Sequence, residues 1–377
     1  MNDTKNIIHN LHTNMVEWVS IGELCKTITP PKKIPTKNYE DFGKYPIIDQ
    51  GQQSIIGYTN DKSSLVPNDE YVLFGDHTRY VKYHKGSFAQ GADGLKILKV
   101  KDTIIPRYFF FAFLNTDIPT RGYSRHWSIV KALLIPIPSL AEQNRIVGIL
   151  DTFTESIENI KKQIQLRKKQ YEFYRDQLLD LEGKPGVEMK TLGDVGTFIR
   201  GSGIQKNDFV ENGFPCIHYG QIHTKYGLSA TETISFINES LYKKCKKAQK
   251  GDLVIATTSE DAEGVAKPVA WLGDDEVAIS GDAYIYHHSQ NGKFMAHQLI
   301  SHRFMLFKVK QATGTKVVRI SGDNMAKFIF PLPSLSEQSR IVSILDQFES
   351  SISNLEQQLS QRQKQYEYYR NKLLTFE

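Results

Sequence analysis

One long stretch occurs twice in this chain. From Pro136 to Glu182, and again from Pro331 to Glu377 at an offset of 195 residues, 27 of 47 positions are identical without a gap. Such a repeat limits the fold before any local reading does, because equivalent segments take up equivalent structures. In the first copy, apolar or aromatic residues fall at Ile146, Leu150, Phe153, Ile157, Ile160, Ile164, Tyr171, Tyr174, Leu178 and Leu181. The second copy keeps the register from Ile341, Leu345 and Phe348 to Tyr366, Tyr369, Leu373 and Phe376. Steps alternating between four and three make a heptad seam and predict a coiled coil. Each helix is expected from about Leu140 or Leu335 to the end of its block. At 1.5 Å per residue that is a rod of roughly 60 Å. A rod with a single apolar seam is not stable alone in water, so the two copies are expected to pair.

The helix boundaries are also legible. Ser139 precedes Glu142, and Ser334 precedes Glu337, by three residues. That spacing predicts a capping box at each start. Gly183, Lys184, Pro185 and Gly186 stop the first helix. Arg167 and Arg362 interrupt the seam at equivalent positions. A seam charge fixes register or orientation with its head snorkelling outward. We favour that reading over a splayed seam that admits a partner.

The repeat unit is larger than the helix. Val16–Leu24 reads VEWVSIGEL, and Val187–Val195 reads VEMKTLGDV. Between these openings and the helices lie interiors that have diverged while keeping landmarks. Tyr45–Gln52 matches Phe214–Gln221, Tyr71–Thr78 matches Asp252–Ser259, and Phe88–Leu95 matches Val277–Tyr284. The offset grows from 171 to 195, so the second interior is 24 residues longer. Short β-branched and aromatic runs between Gly, Pro, Asn and Asp predict strands and turns. Helical stretches at Pro106–Leu114 and Lys293–Phe307 precede the return to the rods. Each module is expected to be α+β with a mixed, bent sheet. The expected organisation is a module over 1–137, a spacer helix over 138–182, a linker over 183–187, a second module over 188–332 and a second helix over 333–377. Residues 1–15 are polar and are expected to form a tail that orders on docking.

Net charge is +5, but each helix block from Pro138 or Pro333 carries −1, so the rest of the chain holds +7. The positive excess therefore sits in the modules, which suits contact with phosphate. No apolar run is long enough to span a bilayer, and no secretory segment opens the chain, so a cytoplasmic protein is expected. Cys25, Cys216 and Cys245 are scattered, with no metal spacing.

A search for chemistry finds no catalytic constellation. The Pro-Pro pair at Thr29–Lys32 lacks the residues that grip an exocyclic amine, and Ala312–Lys316 only resembles a phosphate loop. His287 and His288 are adjacent in a strand and so point to opposite faces. Ser124 and His126 have no partner pattern for nucleophilic catalysis.

Binding remains. In the first module the DNA-facing candidates are Gln50, Gln52, Gln53, His77, Arg79, Tyr80 and Lys82, with Arg121, Ser124, Arg125 and His126. In the second they are Arg200, Gln205, Lys206, Tyr219, Gln221, Thr258, Ser259, Lys267, Lys316 and Arg319. Arg and Gln can make paired hydrogen bonds to base edges, while Lys, Tyr and Ser position phosphate. Two other readings are a methyltransferase–nuclease fragment with a concealed site, testable by turnover without partners, and a coiled-coil scaffold, which would show no salt-dependent DNA binding.

The stretch I-P-x-P-S-L-x-E-Q-x-R-I-V-x-I-L-D at Ile135–Asp151 recurs at Phe330–Asp346 with Phe330 in place of Ile. With Trp18–Leu24 and Met189–Val195, it resembles the specificity subunit of type I restriction–modification systems over essentially the whole chain. The resemblance implies two target recognition domains, each reading half of a bipartite double-stranded DNA site. It implies two long antiparallel helices that measure the spacer and dock two modification subunits. Those partners carry S-adenosylmethionine and methylate adenine N6. Restriction (motor-nuclease) subunits that use ATP and Mg complete the complex, and this chain has no cofactor or catalysis of its own. Half-sites about one DNA turn apart, near 34 Å, are within reach of modules on rods of this length.

Overall fold

The computed structural model describes residues 16–376 except 92, 121, 123 and 315. The expected tail over 1–15 and Arg121 lie outside the described residues. Two compact units are present. The first ends at Lys161 and resumes at Gln357, and the second is Lys162–Glu356. Each unit therefore combines a module with part of both long helices.

The long helices are Leu140–Leu179 and Leu335–Leu374, 40 residues each. Within each unit they pair antiparallel. In the first unit Phe153 stacks on Tyr369 at 5.3 Å. In the second, Tyr174 stacks on Phe348 at 5.5 Å, and Lys168 meets Glu356 at 2.8 Å. The seam arginines do not form a buried like-charge pair. Arg362 lies over Phe153 and Arg167 over Phe348, each partly exposed, so the charged head snorkels while the ring takes the apolar position.

The predicted capping boxes form by half. The N–H groups of Glu142 and Glu337 donate to Ser139 and Ser334. The two carboxylates turn instead to Arg145 and Arg340, each in a two-bond fork. A fork to guanidinium is stronger than one bond to a cap N–H. The next residue in each repeat does more. Gln143 and Gln338 are fully buried. Their amide groups donate to Pro138 and Pro333 carbonyls, and their oxygens accept the N–H of Ile105 and Asn291. Those are the N-cap residues of the module helices Pro106–Leu114 and Gly292–Ile300. One glutamine thus fastens the start of a long helix to the start of a module helix. Asp151 and Asp346 add a second fastening, to Arg107 at 2.7 Å and to Lys293.

The opening stretch of each module is a strand, one helical turn and a second strand, not a single strand. The first strand (Glu17–Ser20, Glu188–Thr191) pairs antiparallel with the strand that leads into the long helix (Leu134–Ile137, Ile329–Leu332). Start and end of each module are thereby held side by side.

In the first unit six strands form one mixed sheet, in the order Cys25–Ile28, Leu95–Val100, Leu65–Gly75, Val81–Gln90, Tyr45–Ile48, Gly57–Thr59. The second unit departs from this pattern. The counterpart of Val81–Gln90 is cut into Lys267–Trp271 and Val277–Ile279, and the sheet divides into two sheets of five strands. The run 272–276, which ends in Asp274, Asp275 and Glu276, interrupts the ladder, and Trp271 Nε1 donates to the Asp275 carbonyl within it. Ser235–Ile237 pairs with Phe214–Ile217 as Gly57–Thr59 pairs with Tyr45–Ile48, and the extra strands Phe209–Val210 and Lys247–Ala248 complete the new sheet. The helical stretch expected over 293–307 is also broken. Ser301 is extended and caps a separate helix, His302–Gln311, by accepting from the Phe304 N–H. In the first unit Tyr108, Phe109, Phe111 and Phe113 are fully buried against the sheet and both long helices. Burial of each such side chain contributes about 1.5–3 kcal/mol.

Candidate nucleic-acid interface

Three loops of the first module are tied together at one end of its sheet. The first, over 49–53, follows Tyr45–Ile48, and the second is the turn over 75–80. The third, over 118–127, precedes the last strand. Asp76 joins the second and third. Its side chain accepts the Trp127 N–H at 2.7 Å and lies 3.6 Å from Lys96 Nζ, and its carbonyl accepts the His126 N–H at 2.9 Å. Arg79 adopts φ 64°, a left-handed conformation that non-glycine residues seldom take. Its guanidinium donates to the Ile118 carbonyl and to Thr120 Oγ1 at 2.6 Å. Gln50 joins the first and second loops, since its side-chain oxygen accepts the His77 N–H and its carbonyl accepts the Thr78 hydroxyl.

The second module repeats the scaffold with other side chains. The Asp76 N–H donates to the Gly94 carbonyl, and the Thr257 N–H donates to the Asp282 carbonyl. The Thr257 carbonyl accepts the Ile320 N–H, as the Asp76 carbonyl accepts that of His126. Thr258 and Ser259 pair with Arg319 and Val318. His223 Nε2 lies 2.9 Å from the Thr258 carbonyl, and Arg200 donates to the Gly281 carbonyl. Loops over 200–208, 218–226, 257–266, 280–282 and 313–320 are thus gathered.

The sequence candidates divide into two groups. Gln52, Gln53, Tyr80, Arg125, Gln205, Lys206, Arg200, Lys316 and Arg319 are exposed on these loops, and Ser124, Tyr219 and Ser259 are half-buried there. Others are engaged inside the loops. Gln50 and Arg79 are the ties just described. Gln221 donates to Ser235 Oγ at 2.6 Å, and its oxygen accepts the His218 N–H. Thr258 is buried, His77 is half-buried, and His126 is buried with its ring on the Asp76 carbonyl. Lys82 and Lys267 donate to backbone carbonyls rather than standing open to phosphate. Burial holds both ammonium groups below the ordinary lysine range. His218 is likewise held low, first by burial and then by the nearby charge of Lys206. Asp76 and Thr257 were missed. The signal was the matched pair of landmarks, which placed both at the same point after the same strand.

Among the described residues no group of His, Cys, Asp or Glu could hold a metal ion, and no helix is long and apolar enough to cross a membrane. His287 pairs with Asp252 at 2.7 Å. All three cysteines are buried, and burial pushes the Cys25 and Cys216 thiols up to about 12.

A duplicated loop-bearing module on paired long helices is the architecture of a two-domain DNA specificity protein. The sequence model of the type I restriction modification DNA specificity domain matches residues 15–168 and 185–364. The specificity subunit of the type I restriction enzyme EcoR124I/EcoR124II of Escherichia coli is 31% identical over 96% of this chain and 94% of its own length. A putative type I restriction enzyme specificity subunit of Haemophilus influenzae is 27% identical over 97% of each chain. Among solved structures, the S subunit of a type I restriction–modification system from M. genitalium superposes with a TM-score of 0.61 at 16% identity, covering 97% of this chain and 98% of that one. The chain belongs to the family of type I restriction–modification specificity subunits, the non-catalytic DNA-recognition component of those systems.

Proposed function

We propose that each module reads one half of a bipartite double-stranded DNA site with its gathered loops. The observation that carries this reading is the recurrence of one hydrogen-bonded loop scaffold in both modules under different exposed side chains. The readers are Gln52, Tyr80, Arg121, Ser124 and Arg125 in the first module, and Arg200, Lys206, Tyr219, Ser259, Lys316 and Arg319 in the second. The long helices set the spacer and dock two modification subunits. Phe173 and Tyr368, exposed at equivalent places on the two helices, support docking there. The modification subunits bring S-adenosylmethionine and methylate adenine N6, and restriction subunits bring ATP and Mg. This chain carries no cofactor and acts in the cytoplasm.

The test is to co-express the chain with its modification subunit and map N6-methyladenine in the host DNA. The expected result is two short words around an unspecified gap. Deleting one heptad from both helices shortens the gap and keeps both words. A continuous motif would overturn the two-reader model, and an unchanged gap would overturn the ruler.

A further inference from the structure

Each module holds a lysine whose ammonium is turned inward on the loop that follows the matched strand, 49–53 in the first and 218–226 in the second. Lys82 Nζ donates to the carbonyls of Asp49 at 2.9 Å and Gln53 at 2.5 Å, the two ends of the 49–53 loop. Its side chain is 11% exposed, and Asp49 Oδ1 stands 3.8 Å away. Lys267 Nζ donates to the carbonyls of His223 at 3.3 Å and Tyr226 at 3.4 Å. Those carbonyls lie at and just beyond the end of the short helix Tyr219–Thr224, which occupies the matching loop.

The two lysines are not equivalent by position. Lys82 is the second residue of its strand, opposite Leu73, and Lys267 opens its strand opposite Ala256. Under the landmark match, Leu73 corresponds to Val254, whose partner is Val269. Lys267 therefore sits two residues along the strand from the place of Lys82, which is the same face of the sheet. The same device stands at two different positions, so shared descent of one residue does not explain it.

We propose that Lys82 and Lys267 are positioning residues for sequence recognition. Each fixes the curvature of a reading loop by gathering its carbonyls on one ammonium, and neither contacts phosphate. An ammonium has three donors and no acceptor, so two carbonyls leave it little capacity for a phosphate. Its stem rises from a sheet strand, which makes it a rigid support for the loop. The carbonyls cannot part without leaving a half-buried charge unsatisfied. The inference rests on the DNA-reading function proposed above.

The test uses the full chain with its modification subunit, and measures the methylated motif and the salt dependence of DNA binding. Lys82→Met is expected to relax one word of the split motif by at least tenfold in discrimination, and Lys267→Met the other word. In each case the untouched word stays intact, and the slope of log affinity against log salt is unchanged. Lys82→Arg, which can still donate to both carbonyls, is expected to keep the motif. Loss of a phosphate contact would instead lower the slope by about one and weaken all sequences alike. That result would overturn the proposal, as would retention of both words in both methionine variants. If Lys82→Met fails to accumulate, Lys267→Met and Lys82→Arg decide. Failure of the DNA-reading function itself would appear separately, as the absence of a split motif in the unaltered protein.

Discussion

The two junctions between long helix and module helix use one plan with opposite chemistry. In the first unit Arg107 reaches Asp151 while lying over the rings of Tyr83, Phe110 and Phe111 at 4.7–5.1 Å. In the second, Lys293 reaches Asp346, and the place of Phe111 is taken by His297. That imidazole is fully buried and lies 3.3 Å from the Tyr171 hydroxyl, which donates to Glu349 at 3.1 Å. The carboxylates and glutamines that fix the geometry are shared, while the groups filling the space between them are not. Backbone direction is therefore set by a few hydrogen bonds, and the packing around them is free to be aromatic or polar.

The largest expected effect breaks this comparison at the sixth position of the module helix. Phe111→His should destabilise the first unit by about 3–5 kcal/mol, since a buried ring is lost and a polar one is placed in an aromatic core. His297→Phe should leave the second unit within about 1 kcal/mol of its starting stability at pH 7. Denaturant unfolding checks both, and equal losses would show that the two junctions are not alternative fillings of one plan.

Next come the shared glutamines. Gln143→Leu and Gln338→Leu each strand a buried proline carbonyl and a helix N-cap N–H. A cost of about 2–3 kcal/mol is expected in each unit, with the two values alike. A difference of more than twofold would mean that the neighbouring packing, not the glutamine, holds the junction.

Acid should separate the units. Burial, then the charges of Lys293 and Arg175, lower His297 to about 3. The unfolded chain binds a proton near 6.5 and the folded chain does not. This contribution is therefore complete above pH 6.5 and falls as pH drops towards 3, by about 2 kcal/mol at pH 5. Burial raises Glu349, whose contribution has the opposite sign and is lost as pH rises. Burial likewise lowers His288, in the same unit, to about 4. Thermal unfolding at pH 7 and pH 5 should therefore show the second unit losing more than the first, and His297→Phe should remove about half of that loss. An unchanged acid response in the variant would place the sensitivity elsewhere.

The smallest effects belong to the seam. Arg167→Leu and Arg362→Leu each lose a partly exposed cation–ring contact and gain apolar area, so a change within about 1 kcal/mol is expected for both. A loss above 2 kcal/mol in either unit would mean that the arginines specify the pairing.

Much of this was legible because periodicity and repetition are properties of the chain itself. The heptads from Ile146 and Ile341, the stops after Glu182, and the duplication of opening strand and helix all follow from residue order. The loop tips were legible only as composition. Arg125, Lys206 and Lys316 were found because they are basic in turns. The same rule selected Lys82 and Lys267, whose charges point inward, and passed over Asp76 and Thr257, whose role depends on what lies across a gap in sequence. Gln143 was visible as part of a repeated motif, but not as a clasp on Ile105, 38 residues earlier.

The sequence by itself determined that there are two modules, two long helices and a family. Local spacing and internal identity carry that information without reference to distant contacts. Only the tertiary structure decided which polar side chains face outward and which tie loops together, and that the second sheet divides at 272–276. A donor's acceptor is chosen by the folded backbone that surrounds it, and a carbonyl left unpaired at a broken strand or a loop end takes whichever cation the fold brings to it.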